Sequence, residues 1–93
     1  CSPAYAFMFI DSMARGAVLN GMTKEQALKI SAQAVLGSAK MMLESEENPW
    51  ALINSVCSPG GTTIEGIATL QNEKFDKAVM DAVQASYEKD KKL

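Results

Sequence analysis

The fold of this chain is decided by one long segment, residues 23–44, which reads TKEQALKISAQAVLGSAKMMLE. Thr23 followed three positions later by Gln26 has the form of a capping box, so the sequence predicts a helix of about six turns that begins here. At about 100° per residue its polar side chains share one narrow stripe. These side chains are Glu25, Gln26, Lys29, Gln33, Lys40 and Glu44. Most of the remaining surface is apolar or small, so we expect other helices to cover this one on most sides.

The segment before it predicts a first helix with clear signals at both ends. Ser2 has the form of an N-cap and Pro3 that of a first helical residue. Asn20-Gly21 predicts a left-handed C-cap, and Asp11 and Arg15 stand at the i,i+4 spacing of an ion pair.

The segments after it predict three shorter helices. Asn48-Pro49 repeats the start signal for a third helix. Thr62 or Thr63 is predicted to cap a fourth, and a fifth begins near Phe75 with Lys77 and Asp81 paired on its outer face. Because no segment alternates with a period of two, we predict an all-α fold of about five helices without strands.

Composition and charge exclude several classes of protein. The chain has 93 residues, 47% of them hydrophobic, and a net charge of −2, which predicts one domain over residues 1–93 and excludes a two-domain enzyme within this chain. No apolar run reaches the roughly 18–20 residues of a membrane span, and no positive surplus favours nucleic acid. The absence of histidine excludes a His-dependent triad or a His-ligated metal.

The cysteines and the first residue also carry information. Cys1 and Cys57 are too few for a disulfide scaffold, which indicates a reducing compartment such as the cytoplasm. With no histidine to activate it, Cys57 is interpreted as a buried structural thiol. The chain begins at Cys1 rather than at methionine, so we expect it to be a piece of a longer protein.

The segment with the most chemical interest is residues 57–63, CSPGGTT, between the third and fourth predicted helices. Gly60 and Gly61 permit close approach of a ligand, and successive N–H groups at a helix start form a pocket for an anion, with the serine and threonine hydroxyls as further donors. We therefore predict a carboxylate or phosphate site. A plain helix-loop-helix corner explains the same residues and stays open at this point. A phosphate-binding P-loop is excluded, because no lysine follows the glycines and no strand precedes them.

A longer stretch around this loop, residues 56–71, reads VCSPGGTTIEGIATLQ and resembles the signature of pyrroline-5-carboxylate reductase, the last enzyme of proline biosynthesis. The signature has a small residue, Ser or Thr, any residue, Gly-Gly, any residue and Thr, followed by small, aliphatic and large apolar positions, and every position matches. Residues 3–9 resemble the opening of that family's C-terminal domain, and residues 33–41 resemble its central helix. The likeness covers essentially the whole chain.

The resemblance implies the all-helical C-terminal domain of a two-domain reductase, which dimerises through interleaved helices and helps to reduce 1-pyrroline-5-carboxylate to L-proline. The resemblance assigns the binding of NADP or NAD to an N-terminal Rossmann domain. The Gly-x-Gly-x-x-Gly fingerprint of such a domain does not occur in these residues, so we expect that domain to be absent from this chain. This chain is then expected to be inactive by itself. The resemblance implies homodimers, which in some family members form decamers of five dimers. As the composition indicates, we expect no binding of nucleic acid, membrane or metal.

The resemblance also implies a substrate loop. Its residues are Ser58, Pro59, Gly60, Gly61, Thr62 and Thr63. Backbone N–H groups would hold the substrate carboxylate, Pro59 would fix the loop, and the hydroxyl of Thr63, the catalytic residue, would reach the ring nitrogen. Two alternatives remain at this point: a stand-alone helical interaction module whose Gly-Gly-Thr-Thr corner is only a turn, and a related dehydrogenase of another imino or 2-hydroxy acid.

Overall fold

The fold is all-helical, as predicted. A computed structural model describes residues 2–90, and these residues form five helices and no strand. The helices are α1 (Ser2–Leu19), α2 (Lys24–Glu44), α3 (Pro49–Val56), α4 (Thr62–Asn72) and α5 (Phe75–Asp90). The chain divides between Glu47 and Asn48 into two units, one built from α1 and α2 and the other from α3, α4 and α5. Within residues 2–90, no helix is both long and apolar enough to cross a membrane.

The connection between α1 and α2 confirms the predicted left-handed cap. Gly21 has φ +106°, and its N–H donates to the carbonyl of Val18 at 3.1 Å. The N–H of Met22 donates to the carbonyl of Ala17, also at 3.1 Å. These two bonds form a Schellman motif, which satisfies carbonyls that the end of a helix otherwise leaves without partners. The chain therefore reverses direction within a few residues and α2 packs against α1.

The start of α2 is capped by Thr23, as predicted. The Thr23 hydroxyl oxygen accepts a hydrogen bond from the N–H of Gln26 at 3.3 Å. The same hydroxyl donates to the side-chain oxygen of Gln26 at 3.1 Å. In a standard capping box the glutamine reaches the backbone N–H of the cap residue instead. Here both contacts use the threonine side chain, so the two residues fix the helix start together.

The side chains that are fully buried on α1 and α2 are small. Among the described residues, those classed as buried are Ala14 on α1 and Ala27 and Ser31 on α2. Because alanine and serine are short, the two helix backbones can approach closely at this point. Such a contact removes little apolar area from water, so it contributes modestly to stability.

A second apolar face of α2 is left uncovered in the single chain. Ile30, Ala34, Gly37 and Met41 follow one another at the i, i+4, i+7, i+11 spacing that places them on one side of a helix, and all four are exposed. Ile30 keeps 56% of its surface exposed and Met41 keeps 54%. We name these four residues the α2 apolar face. The expectation that other helices cover α2 on most sides is therefore not met within one chain.

The second unit begins with the predicted cap. The side-chain oxygen of Asn48 accepts from the N–H of Ala51 at 2.9 Å, and Pro49 is the first residue of α3. Farther along, Lys74 links α4 to α5. Its backbone has φ +60°, in the left-handed region that residues other than glycine rarely adopt. Its N–H donates to the carbonyl of Gln71 at 3.1 Å.

Both predicted ion pairs are present. Arg15 Nε lies 3.0 Å from Asp11 Oδ2 on α1, and Lys77 Nζ lies 2.7 Å from Asp81 Oδ2 on α5. The hydrogen bond and charge of Asp81 raise the pKa of Lys77 above its ordinary value of 10.5. Both pairs are exposed, so each contributes little to stability.

Candidate functional site: the turn that leads into helix α4

The predicted loop is a tight turn between α3 and α4. The N–H of Gly61 donates to the carbonyl of Ser58 at 2.9 Å. Pro59 occupies the second position of this turn and Gly60, with φ +73°, the third. Proline followed by a residue with positive φ is typical of a type II turn, because proline fixes φ near −65° and glycine carries no Cβ. The four residues thus reverse the chain directly before α4.

The start of α4 differs from the prediction. The expectation that Thr62 or Thr63 caps this helix is wrong, because the cap residue is Gly61, with φ −82° and ψ 170°. A cap residue has an extended backbone, whereas the two threonines already belong to the first helical turn. The turn formed by residues 58–61, which we call the Ser58 turn, causes this difference. Because it closes at Gly61, α4 already begins at Thr62.

A glycine cap leaves the helix start open. Among the described residues, no side chain makes a capping hydrogen bond to α4, in contrast to Thr23 on α2 and Asn48 on α3. Helix geometry leaves the first N–H groups without acceptors inside the helix. The N–H of Gly61 is used by the turn, so the open donors belong to the three residues that follow it. These are Thr62, Thr63 and Ile64.

Ile64 is the donor that the sequence analysis missed. Its side chain carries no polar group, but as the third residue of a helix capped by Gly61 its backbone N–H has no acceptor inside the helix. The signal available in the sequence was the Ser-Pro-Gly-Gly turn itself, which competes with the threonines for the cap position.

The environment of this turn is exposed and has few charges. Ser58, Pro59, Gly60, Thr62 and Thr63 are exposed, and Gly61 is half-buried. Residues 57–64 contain no lysine or arginine, so the positive end of the α4 dipole is the local source of attraction for an anion. The nearby acid is Glu65, in the first turn of α4.

The cysteine beside the turn is a free thiol. Cys57 ends α3 and is half-buried rather than fully buried, which corrects its interpretation as a buried thiol. Cys1 lies outside the described residues. Among residues 2–90, no cluster of histidine, cysteine, aspartate or glutamate is arranged to hold a metal ion.

The turn and the fold together define a class of protein: an all-helical domain with an uncovered apolar face on α2 and a glycine-capped helix α4 whose first N–H groups receive no side-chain cap. The family model for pyrroline-5-carboxylate reductase dimerisation matches residues 1–93. The chain belongs to that family.

Individual relatives agree with this assignment. Pyrroline-5-carboxylate reductase of Escherichia coli (strain K12) is 56% identical over 92 residues, which cover 99% of this chain and 34% of that protein. The chain thus spans about a third of this curated relative.

Solved structures agree as well. 1-Pyrroline-5-carboxylate reductase from Streptococcus pyogenes matches with a TM-score of 0.93 and 40% identity, over 99% of this chain and 36% of that one. A pyrroline carboxylate reductase from Plasmodium falciparum with NADP bound matches with a TM-score of 0.91 and 36% identity, over 96% of this chain and 34% of that one.

Proposed function

We propose that the protein containing this chain reduces 1-pyrroline-5-carboxylate to L-proline with NADPH or NADH, and that residues 1–93 are its helical dimerisation and substrate-loop domain. Membership of the family and the names of the relatives support this assignment. A stand-alone interaction module would not need a helix start that is open to an anion.

The observation that carries the proposal is the glycine cap of α4. At the starts of α2 and α3, a side-chain oxygen accepts from a first-turn N–H group, whereas Gly61 has no such oxygen to offer. A substrate carboxylate oxygen takes the place of the missing cap and accepts from the N–H groups of Thr62, Thr63 and Ile64. Bonds to a charged acceptor are stronger than those between neutral groups. No basic side chain is required at this position.

The side chains of the turn complete the substrate loop. The hydroxyls of Ser58 and Thr62 serve as additional donors, while Pro59 and Gly60 fix the turn that holds the helix start in position. These residues lie consecutively in the chain, so their relative positions depend on local geometry rather than on distant contacts.

Thr63 has a separate role in this proposal. Reduction of a cyclic imine adds hydride to the carbon of the C=N bond, and the nitrogen must carry or receive a proton. Thr63 is the second residue of α4, and its hydroxyl holds the ring nitrogen through a hydrogen bond or relays a proton to it from water. Fixing this nitrogen orients the C=N carbon toward the hydride donor.

The dinucleotide is assigned to another part of the protein. A dinucleotide pyrophosphate fits a unit made of a strand, a glycine-rich loop and a helix. Residues 2–90 contain no strand and so cannot form this unit. NADPH or NADH supplies hydride when bound to an N-terminal Rossmann domain, and no step with the cofactor is assigned to the residues of this chain.

The partner in this proposal is a second copy of the chain. The α2 apolar face and the exposed apolar side chains of α5, such as Val79 at 41% and Val83 at 46%, need to be covered. Interleaved helices from a partner cover them, and five such dimers assemble into a decamer. The proposed location is the cytoplasm, and nucleic acid and membranes are not proposed as partners.

A comparison of two substrates tests the proposal. The full-length protein is assayed for oxidation of NADPH and NADH with 1-pyrroline-5-carboxylate and with 1-pyrroline, the same cyclic imine without the carboxylate. We expect proline to form, and kcat/KM to fall at least about 100-fold for 1-pyrroline, equivalent to about 2.7 kcal/mol of lost charge-assisted bonding. Equal values would exclude the carboxylate site, and no reduction of either substrate would exclude the reductase.

A further inference from the structure

The Asn20-Gly21 pair at the end of α1 has a chemical property that the proposed reductase function does not use. An asparagine followed by glycine can cyclise, because the glycine nitrogen is little hindered and can attack the side-chain amide carbon. Both residues are exposed, so water reaches them. The question is whether the native fold permits this reaction.

The fold holds both reacting groups in hydrogen bonds. The side-chain nitrogen of Asn20 donates to the carbonyl of Gly16 at 2.9 Å. The attacking nitrogen, that of Gly21, donates its proton to the carbonyl of Val18 at 3.1 Å. The N–H of Asn20 also donates, to the carbonyl of Ala17 at 3.1 Å. These bonds tie the side-chain amide back along α1 and direct the Gly21 N–H toward the helix, so cyclisation requires the cap to open.

We propose that Asn20 is a deamidation site that the Schellman cap of α1 keeps closed, so that reaction at Asn20 records opening of the α1 end. In the opened chain, the Gly21 nitrogen forms a bond to Cγ of Asn20, the bond from Cγ to Nδ2 breaks, and ammonia leaves with the proton from Gly21. Water then opens the resulting succinimide at either carbonyl. The net change is the amide plus water giving a carboxylate and an ammonium ion.

The product cannot restore the original cap. A carboxylate at position 20 has no N–H to donate to the Gly16 carbonyl, and its negative charge lies at the carbonyl end of a helix, where the dipole disfavours it. Opening at the other carbonyl gives isoaspartate, which inserts an extra carbon into the main chain beside Gly21. Either product weakens the cap that holds α1 next to α2. Because the released ammonia does not add back, a chain that has reacted at Asn20 stays changed.

The chain contains its own controls. Asn48 precedes proline and therefore has no N–H nucleophile, while Asn54 lies inside α3 before a serine. Asn20, Asn48 and Asn54, three of the four asparagines in the chain, are followed in one peptide mass map of the full-length protein, incubated at mildly alkaline pH in buffer or in urea. We expect Asn20 to react ahead of Asn54 in urea, and Asn48 to stay unchanged. In buffer, Asn20 reacts at least about tenfold more slowly than in urea, equivalent to about 1.4 kcal/mol of cap stability.

A matched pair of variants tests the role of the cap directly. Met22→Pro removes the N–H that donates to the Ala17 carbonyl, whereas Met22→Ala keeps it. We expect Met22→Pro to raise the rate at Asn20 in buffer toward the rate in urea, with Met22→Ala remaining slow. Equal rates for the wild-type protein in buffer and in urea would overturn the proposal, and this comparison holds even if Met22→Pro fails to fold. A folded Met22→Pro protein that stays as slow as Met22→Ala would also overturn it.

Discussion

The N–H of Gly61 donates to the carbonyl oxygen of Ser58 at 2.9 Å, and a Cβ atom on Gly61 would lie 3.2 Å from that same oxygen. This separation is tighter than ordinary contact, so a side chain at position 61 forces the turn and the helix start apart by tenths of an ångström. The close approach of the Ser58 carbonyl to Gly61 therefore favours glycine at this cap position.

Gly61→Ala is expected to weaken substrate binding more than it affects folding. Displacement of the first-turn N–H groups raises KM for 1-pyrroline-5-carboxylate about tenfold, equivalent to about 1.4 kcal/mol. Gly66→Ala on the same helix is the control, because its Cβ meets nothing within 4 Å. That control stabilises the helix by about 0.5–1 kcal/mol and leaves KM unchanged. Steady-state kinetics with urea unfolding measure both, and an unchanged KM for Gly61→Ala would argue against the site.

Removing the hydroxyl of Thr63 is expected to reduce catalysis. Thr63→Ala lowers kcat/KM by a factor equivalent to about 1–3 kcal/mol, because the ring nitrogen loses its hydrogen-bond partner. Thr63→Ser keeps the hydroxyl and retains most of the activity. Thr69→Ala removes a threonine from the far end of α4, whose hydroxyl donates to the Glu65 carbonyl, and should have little effect. Wild-type kinetics for Thr63→Ala would contradict the catalytic role that we propose for Thr63.

A charge on the α2 apolar face is expected to break the dimer. Ile30→Glu places a carboxylate where a partner chain should pack, and we expect the dimer dissociation constant to rise at least about 100-fold, equivalent to about 2.7 kcal/mol. Gln33→Glu introduces the same charge on the polar stripe of α2 and should leave the dimer intact. Light scattering over a range of protein concentrations distinguishes the two. A dimer that tolerates Ile30→Glu would show that another surface is used.

Lys74→Gly is expected to stabilise the protein. The left-handed backbone costs a residue with a side chain about 1–2 kcal/mol, and glycine avoids that cost at the expense of about 0.4–1 kcal/mol of extra freedom in the unfolded chain. The net gain in the free energy of unfolding is about 0.5–1 kcal/mol. Lys77→Gly, inside α5, should instead cost about 1 kcal/mol. Urea unfolding compares them, and equal losses would contradict the strain at Lys74.

The Lys77 and Asp81 pair predicts a small dependence of stability on alkaline pH. Because folding raises the pKa of Lys77 above 10.5, the folded state binds this proton more tightly. The stabilisation is complete below that ordinary value and is lost as the pH rises through the raised one. Lys77→Met should not show this component. Urea midpoints measured on both sides of the transition provide the test, and identical pH profiles for the two proteins would refute it.

The helices and most of their ends could be predicted because the signals act over a few residues. Thr23, Asn48 and Gly21 each satisfy backbone groups within five positions of themselves, so the local sequence contains all the information that is needed. The i,i+4 ion pairs belong to the same category. The all-α class followed from the absence of any segment with a strand period.

The sequence left points open, or predicted them wrongly, where neighbouring structure decides between local options. Gly61, Thr62 and Thr63 are all acceptable cap residues, and closure of the Ser58 turn selects the first. Lys74 has no intrinsic preference for positive φ, and its conformation accompanies the contact between α4 and α5. Spacing alone does not predict whether the turn binds an anion, since a plain corner and an anion site require the same glycines. The resemblance to the family signature, rather than the physics of the segment, favours the anion site, which stays a prediction.

The burial of only small side chains, such as Ala14 and Ala27, has a consequence for how the protein behaves in the cell. No large side chain among the described residues is completely buried within one chain, so a single copy gains little from folding alone. If association provides the missing burial, the folded fraction depends on how many copies are present, and the unfolding temperature rises with protein concentration. Low expression would then yield disproportionately few folded domains, so the amount of folded protein would rise more steeply than the amount synthesised.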